Sequence, residues 1–187
     1  MAEPIQPPPP ELGGLDLAAV ARLVAEQRLP PVESWNPPHC GHSAMRIASD
    51  GGWWHEGAPV LRAAMVRLFA SVLRREPDGS YVLVTPVEKL AIDVDDLPFV
   101  ATEMASEGEA RARRLAFRTN LGDLVVAGPE HPLTFERGPA VRVRGRLDAR
   151  LARPVYYELA EFALAEGGDP PGLWSDGVYF RLDEAPA

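Results

Sequence analysis

The chain has 187 residues, of which 46% are hydrophobic and 25% are charged, and its net charge is −8. This composition supports a hydrophobic core and excludes a chain that is disordered throughout. The negative balance argues against a nucleic acid polymer or an anionic membrane surface as the partner, because both select basic proteins.

The cysteine content, the first residues and the lengths of the apolar runs indicate the compartment of the protein. Cys40 is the single cysteine, so an intrachain disulfide is impossible, which is typical of a reducing environment. Residues 1–11 are rich in proline and lack the basic and apolar regions of a secretory leader. No apolar run approaches the roughly 18 residues of a membrane span. We therefore predict a cytoplasmic protein.

Residues 1–34 are predicted to form a proline-rich tail and an N-terminal helix. The helix is expected over 15–28, where apolar residues recur at helical spacing, and Pro30-Pro31 ends it. Its apolar stripe consists of Leu17, Val20, Ala21 and Val24.

The next part of the chain predicts strands around a second helix. A strand at 42–49, a turn at Asp50-Gly51-Gly52 and a return strand at 53–56 form a hairpin. Pro59 is expected to open a helix over 60–75, since a missing N–H costs nothing in the first turn. The predicted buried face of this helix is Leu61, Met65, Leu68 and Val72. Further strands are predicted at 81–84, 87–92 and 99–104.

The second half of the chain is mostly β-structure in its first part. Short strands are predicted at 115–119, 124–126 and 133–136, followed by a long strand over 141–151. Pro154 starts a helix over 155–166. The chain then closes with a hairpin of strands 173–175 and 178–182.

Two similar helix entries indicate an internal duplication. Residues 57–62 and residues 152–157 both follow a strand, contain Pro-Val, open a helix and precede a short pair of strands. This order predicts an α+β fold of two related small subdomains, 35–108 and 109–187, each with antiparallel strands and one main helix. A cleft between them is then the expected ligand site.

Histidine and cysteine cluster in the first subdomain without a recognisable catalytic or metal-binding pattern. His39, Cys40, His42, His55 and Glu56 lack the spacing of a zinc site. We predict no catalytic residue and no metal. His55 is interpreted as a turn residue, and an enzyme that uses His55 and Glu56 as acid and base is kept as an alternative.

Arginines alternate in the segment Val-Arg-Val-Arg-Gly-Arg-Leu at 141–147. On a continuous strand Arg142, Arg144 and Arg146 project from one face. Guanidinium groups suit phosphate or carboxylate, so this face could bind an anion. The alternative, which is the commoner outcome for such a pattern, is a solvated face neutralised by glutamates on neighbouring strands.

Two further segments combine a strand end with polar side chains. Arg118, Thr119 and Asn120 run into a turn, where a loop can reach a cleft, although such residues also simply favour turns. Thr85 and Lys89 lie between two predicted strands, and Lys89 is the only lysine of the chain.

Several ordered motifs resemble the bacterial domain-of-unknown-function family numbered 1285, over about residues 35–183. They are Asp-Gly-Gly-Trp-Trp-His-Glu-Gly-Ala-Pro at 50–59, Tyr-Val-Leu-Val-Thr-Pro-Val-Glu-Lys at 81–89, Asp-Leu-Pro-Phe-Val at 96–100 and Thr-Asn-Leu-Gly-Asp at 119–123. The resemblance implies two related α+β subdomains, the C-terminal one similar to pleckstrin-homology folds. It also implies a site for a nucleotide-like ligand at their interface and a role in signalling.

We therefore expect a protein that binds an anionic or nucleotide-like small molecule between its subdomains. No cofactor is assigned, and an interaction module that engages a protein partner through the proline-rich tail or a strand edge is the other alternative. The predicted ligand contacts are Trp53, His55, Arg62, Thr85, Lys89, Arg118, Thr119 and Asn120.

Overall fold

The structure is a computed structural model that describes residues 29–182. The predicted tail and the predicted helix at 15–28 lie outside these residues. Within the described part of the chain, no helix combines the length and the apolar character needed to cross a membrane.

The first half of the described chain forms a six-stranded sheet with one helix. The strand order is β3-β2-β1-β6-β5-β4, and helix α1 (Ala63–Ser71) connects β3 to β4. A short 3-10 turn (Val32–Ser34) precedes the sheet. Its strands are β1 (His39–Ile47), β2 (Trp53–His55), β3 (Ala58–Pro59), β4 (Leu73–Arg75), β5 (Tyr81–Val84) and β6 (Lys89–Val94).

The second half forms another six-stranded sheet, followed by a helix and a hairpin. The order is β10-β11-β12-β7-β8-β9, helix α2 (Arg153–Glu166) comes after β12, and a 3-10 turn (Ala110–Ala112) links β7 to β8. The strands are β7 (Phe99–Glu107), β8 (Arg114–Thr119), β9 (Leu124–Val126), β10 (Leu133–Thr134), β11 (Ala140–Arg144) and β12 (Leu147–Leu151). The closing hairpin is β13 (Gly172–Ser175) with β14 (Val178–Arg181).

The two sheets have the same topology, which confirms the duplicated α+β fold. In each sheet the first and the last strand form a parallel central pair, β1 with β6 and β7 with β12. Each central strand continues outward into two antiparallel neighbours. When β1–β6 are matched one by one to β7–β12 in chain order, the strand order of the first sheet becomes the strand order of the second.

The chain passes from the first sheet to the second before it reaches the predicted subdomain boundary at 108/109. Strand β7, residues Phe99–Glu107, pairs with β8 and β12 of the second sheet. A division at 108/109 would separate β7 from β8, whereas the sheets themselves divide between Val94 and Phe99.

The predicted correspondence between the two helices is wrong. Helix α1 lies between β3 and β4 inside the first repeat, but α2 follows β12 at the end of the second repeat. The strands alone carry the duplication, and the shared Pro-Val dipeptide does not mark equivalent positions.

The predicted helix over 60–75 is too long at both ends. Glu56 and Gly57 have φ of 49° and 81°, which is the left-handed backbone of a two-residue hairpin, so Pro59 pairs with Trp54 in β3. At the other end Leu73 pairs with Leu83 in β4. Only nine residues remain for α1.

The predicted long strand over 141–151 is wrong as well. The chain turns at Gly145 and Arg146, and β11 pairs with β12 as a hairpin. Gly145 has φ of 49°, and a Cβ there would lie 2.6 Å from a carboxylate oxygen of Glu33. Strand β1 also begins earlier than predicted, at His39.

One continuous hydrophobic core joins the two sheets and both helices. Phe99 and Phe117 from the second sheet and Ile47 and Leu73 from the first are fully buried in it. The subdomains are therefore packed against each other through a shared core.

Candidate functional site

A cleft of about 210 Å³ lies between α1 of the first subdomain and the β8–β9 loop and β11 of the second. We call it the interface cleft. Its walls come from both repeats, as expected for a ligand site in a duplicated fold. It is lined by Leu29, Arg67, Ala70, Ser71, Leu121, Gly122, Asp123 and Arg144.

Helix α1 presents one side to this cleft. Val66 and Ala70 face the core and are buried, so the helical period turns Arg67 and Ser71 toward the cleft side. The Ser71 hydroxyl donates to the Leu68 carbonyl at 2.6 Å. Arg67 is exposed and makes no ion pair with any residue between 29 and 182.

The opposite wall of the cleft is the β8–β9 loop, which is stabilised by hydrogen bonds of the Thr119 side chain. The Thr119 hydroxyl donates to the Asp123 carboxylate at 3.0 Å and accepts the backbone N–H groups of Leu121 and Asp123. Gly122, at φ of 93°, donates its N–H to the Thr119 carbonyl. The hydroxyl and the glycine thus fix the position of Asp123 at the cleft.

Asn120 attaches the same loop to both subdomains. Its backbone N–H donates to the Val100 carbonyl at 2.8 Å, and its Oδ1 accepts the Val100 N–H at 3.0 Å. Its Nδ2 donates to the carbonyl of Gly51, in the β1–β2 turn, at 3.4 Å. The loop is therefore tied to β7 and to the first subdomain.

Arg144 joins the two walls at the base of the cleft. Its Nη1 donates to the Asp123 Oδ1 at 3.0 Å, and its Nη2 donates to the Ala70 carbonyl at 2.6 Å. The guanidinium carbon lies 5.1 Å from the centre of the Phe99 ring. A cation at the last turn of α1 also complements the helix dipole. Arg144 thus links α1, the β8–β9 loop and the second sheet.

The environment of Arg144 is largely dry. Its side chain is 18% exposed, and burial lowers the pKa of its guanidinium below the ordinary value, an effect that the carboxylate of Asp123 opposes. The group stays charged at neutral pH, because an arginine titrates far above it. Its charge is compensated by Asp123, so among residues 29–182 the cleft cation without an ion pair is Arg67.

A neighbouring cleft of about 270 Å³ lies on the other side of Arg144. One wall is the segment that follows Leu29, which Arg74 holds by donating to the carbonyls of Val32 and Trp35 at 2.7 and 2.6 Å. This neighbouring cleft is lined by Pro30, Pro31, Val32, Glu33, Ser34, Leu73, Arg144, Gly145 and Leu147.

A further cleft between the subdomains, of about 340 Å³, has the opposite charge balance. Three arginines and four carboxylates line it, and Arg150 binds the carboxylate of Asp96 with two hydrogen bonds of 2.8 and 2.6 Å. Arg75 lies over the ring of Tyr81 at 5.4 Å. Its negative excess makes it a poorer place for an anion than the interface cleft.

Three of the predicted ligand contacts lie in or next to β2 and α1. Trp53 is 3% exposed and stacks on Phe69 with ring centres 6.4 Å apart, so it is a core residue. Its neighbour Trp54 is half-buried. His55, at the end of β2, and Arg62, which precedes α1, are exposed.

Three others already have partners within the protein. The Thr85 hydroxyl accepts the backbone N–H groups of Val87 and Glu88. Lys89 pairs with Glu76 at 3.3 Å. Arg118 is buried in β8 and lies 3.5 Å from a carboxylate oxygen of Glu103.

Taken together, the lining of the interface cleft includes none of the eight predicted contacts among the described residues. Thr119 and Asn120 lie next in the chain to the cleft lining, because they hold the loop in which residues 121–123 form one wall. A direct role of the eight side chains in binding a ligand stays a prediction.

The three alternating arginines have three different environments. Arg142 binds the carboxylate of Asp148 and the Gly145 carbonyl, Arg144 is the buried link described above, and Arg146 is exposed in the turn. They do not form one cationic face, because the hairpin turn interrupts the strand. Aspartates, rather than glutamates, neutralise the first two.

The histidines of the first subdomain do not assemble a metal site. Over residues 29–182, no group of three or more metal-ligating side chains is present. His42 accepts the N–H of Ala44 at its Nδ1 and lies 3.4 Å from Asp93 through its Nε2. Both ring nitrogens are therefore in use.

Sequence reasoning missed Arg67 and Ser71 as cleft residues. Of the predicted buried face of the helix, the structure packs Val72 against the core but leaves Leu61, Met65 and Leu68 exposed at 87%, 41% and 63%. The predicted orientation of the helix placed Arg67 on its solvent-exposed side. The intervening Val66 and Ala70, two small residues suited to close packing, were the available signal for the true buried face.

Comparison with family models identifies related proteins over almost all of the described chain. The model described as "Domain of unknown function (DUF1285), N-terminal domain" matches residues 30–97. The model described as "Protein of unknown function (DUF1285), C-terminal domain" matches residues 98–182. Their junction coincides with the change from the first to the second sheet. A comparison with curated proteins found no match.

Two crystal structures of family proteins are similar to this chain. One, a DUF1285 family protein from Silicibacter pomeroyi DSS-3, is 43% identical, with a TM-score of 0.76 over 89% of this chain and 94% of that one. The other, from Shewanella baltica OS155, is 27% identical, with a TM-score of 0.52 over 64% of this chain and 91% of that one.

Proposed function

This chain belongs to the DUF1285 family of proteins of unknown function, and we propose that it binds a small anionic, nucleotide-like ligand in the interface cleft. The observation that carries the proposal is that Arg67, at a cleft walled by both subdomains, makes no ion pair within residues 29–182. Arg144 behind it is already neutralised by Asp123. Within the described part of the chain, an anion that enters the cleft therefore meets the guanidinium of Arg67, which offers a forked donor to phosphate or carboxylate.

The size of the cleft limits which part of a ligand it can take. Pockets that enclose drug-sized ligands measure about 300–1,000 Å³, and the interface cleft measures about 210 Å³. It is suited to the anionic group of a ligand. The less polar remainder would lie in the neighbouring cleft past Arg144, which has proline and leucine walls.

A signalling role is consistent with the position of this cleft. A ligand there would contact α1 of the first subdomain and the β8–β9 loop of the second at the same time. Binding energy would then depend on how the two walls are placed, and occupancy could bias their arrangement. No observation favours the enzyme alternative: His55 ends β2, Glu56 is the first residue of the two-residue turn that follows, and both side chains are exposed.

The proposal is tested by thermal denaturation of the full chain with nucleotides, dinucleotide cofactors and cyclic or phosphorylated second messengers. A ligand at ~100 times its dissociation constant should add about 2.7 kcal/mol of stability. Arg67→Gln should abolish this gain, because it removes the free cation of the cleft. Lys89 and Arg118 are unsuitable test positions, since both are paired within the fold.

Arg153→Gln is the matched control. Arg153 is an exposed arginine at the start of α2, distant from the cleft lining, and its substitution changes the net charge by the same amount. A gain that survives Arg67→Gln, or that Arg153→Gln removes equally, would place the ligand elsewhere. The absence of any stabilising anion in the screen would count against the proposal as a whole.

A further inference from the structure

Helix α1 is apolar on two sides, and only one of them is buried. Val66 and Ala70 pack into the core at 8% and 4% exposure. Met65 and Leu68 are three residues apart on α1 and share one side of the helix, and Leu61 lies two residues before its start; we call these three side chains the exposed stripe. Their exposure rises to 87% at Leu61.

The exposed stripe is unlike the scattered surface leucines of ordinary soluble proteins. Single exposed apolar residues need no explanation, but three large ones within eight residues of the chain indicate a contact surface. Helix α1, which carries two of them, is only nine residues long and has no side-chain cap at its start. A helix so short depends on tertiary packing for its stability.

The chain itself offers an occupant beside this stripe. Leu29, the first described residue, lines the interface cleft together with Arg67, Ala70 and Ser71 of α1. The segment immediately before it, residues 15–28, has the sequence pattern of an amphipathic helix with an apolar stripe. Pro30 and Pro31 prevent that helix from continuing, so it would end next to α1.

We propose that residues 15–28 pack their apolar stripe against the exposed stripe of α1 in the same chain. A helix of 14 residues is about 21 Å long, whereas the distance along α1 from Met65 to Leu68 is about 5 Å. The segment is therefore long enough to cover the stripe completely, starting from the side of the helix where Leu29 lies.

Charge and size favour this occupant over a second copy of the chain. A stable interface between two proteins takes about 20–30 residues from each side, far more than three side chains of one short helix. A segment in the same chain needs much less contact area, because its effective concentration at the stripe is high. Every subunit also carries a net charge of −8, which opposes association of two copies through a small apolar contact.

The test is hydrogen exchange of the full chain, read on the backbone amides of residues 17–28. We expect these amides to exchange at least ~10-fold more slowly than in an unstructured chain, because docking protects a helix from opening. Leu68→Asp should abolish that protection. Leu164→Asp, a matched change of a leucine that is 70% exposed on α2, should leave it intact.

The same experiment controls for loss of the fold. Amides of β7 and β8 should stay protected in Leu68→Asp, and the reciprocal change Val24→Asp, which alters no described residue, should have the same local effect. Unprotected amides in the unaltered chain would overturn the proposal. So would protection that survives both substitutions, or that depends on protein concentration together with a doubled mass in sedimentation, which would indicate a second copy.

Discussion

The two repeats share one sheet topology but differ in how completely they are covered. In the second sheet, five consecutive residues of β8 are buried, from Leu115 to Thr119. The equivalent strand of the first sheet, β2, buries only Trp53. The duplication therefore preserved the strand order and left the first subdomain with more open surface.

The two helices also differ in how well they are capped and how completely their apolar side chains are buried. Helix α2 has Pro154 in its first turn, ends on Gly167 in a left-handed conformation, and buries Val155, Leu159 and Ala163. Helix α1 has no side-chain cap at its start and shows apolar side chains on its outer surface. The difference indicates that α2 completes the core, whereas α1 keeps an exposed outer surface, where we propose a ligand on one side and residues 15–28 on another.

Truncating a buried residue of α2 should produce the largest effect. Leu159 is fully buried, and Leu159→Ala should lower the free energy of unfolding by about 2–5 kcal/mol through lost contacts and a cavity. Val66→Ala on α1 should cost only about 1–2 kcal/mol, because two methyl groups are removed. Urea denaturation measures both, with Leu164→Ala as the exposed control. Equal costs at Leu159 and Val66 would contradict the contrast between the helices.

Removing the link between the repeats should have the next largest effect. Arg144→Gln leaves Asp123 and the Ala70 carbonyl without their donor, and we expect a loss of about 2–4 kcal/mol, below the range for a fully buried pair. Arg146→Gln, two residues away in the exposed turn, should change stability by less than about 0.5 kcal/mol. In a double-mutant cycle, Asp123→Asn should cost less in the Arg144→Gln background than alone. Strict additivity would show that the two side chains are not coupled.

A smaller effect is expected where the first repeat touches the loop of the second. Gly51 has φ of 84°, and a Cβ there would lie 2.5 Å from Asn120 Nδ2. Gly51→Ala should destabilise the protein by about 1–3 kcal/mol, from the left-handed backbone and from this contact. The Gly51→Ala change should cost less in an Asn120→Ala background than in the unaltered chain, which chemical denaturation of the two single variants and the double variant would reveal. An unchanged loss in the double variant would mean that the contact contributes nothing.

The smallest effect concerns pH in the first repeat. Burial raises the pKa of Glu76, but its hydrogen bonds and ion pairs with Arg74 and Lys89 outweigh that effect, so the pKa lies below the ordinary value of 4.5. A lowered pKa contributes stability that is complete above the unfolded value and is lost as the pH falls through the folded one. The stability difference between the unaltered protein and Glu76→Gln should therefore shrink below about pH 4.5. A difference that stayed constant into acid would exclude this linkage.

The sequence predicted the strands of the duplication better than its helices. Local patterns were sufficient for 81–84 and 124–126, which are short apolar runs flanked by turn residues. The extent of α1 was not predictable in this way, because the two-residue turn at Glu56 and Gly57 uses a glutamate in a left-handed conformation. The strand at 73–75 looks like the continuation of an amphipathic helix and is defined only by its pairing with β5.

The interface cleft was predictable in its location and not in its composition. A duplicated fold suggested a site between the repeats, and the segment at 119–123 was recognised as a polar turn. Arg144 was identified as one of three arginines on a strand, but its contact with Ala70 joins residues 74 positions apart. Such a contact depends on how the subdomains pack, which no local pattern specifies. The rotation of α1, which brings Arg67 to the cleft, depends on the same packing.

The most direct test of a ligand site between the repeats is NMR titration of the backbone amides with a ligand found by thermal screening. The account predicts chemical-shift changes concentrated at Leu29, Arg67, Ser71, Gly122 and Asp123, and their disappearance in Arg67→Gln. Changes centred instead on Arg75, Arg137 and Arg150, in the cleft of opposite charge balance, would contradict the assignment of the interface cleft as the binding site.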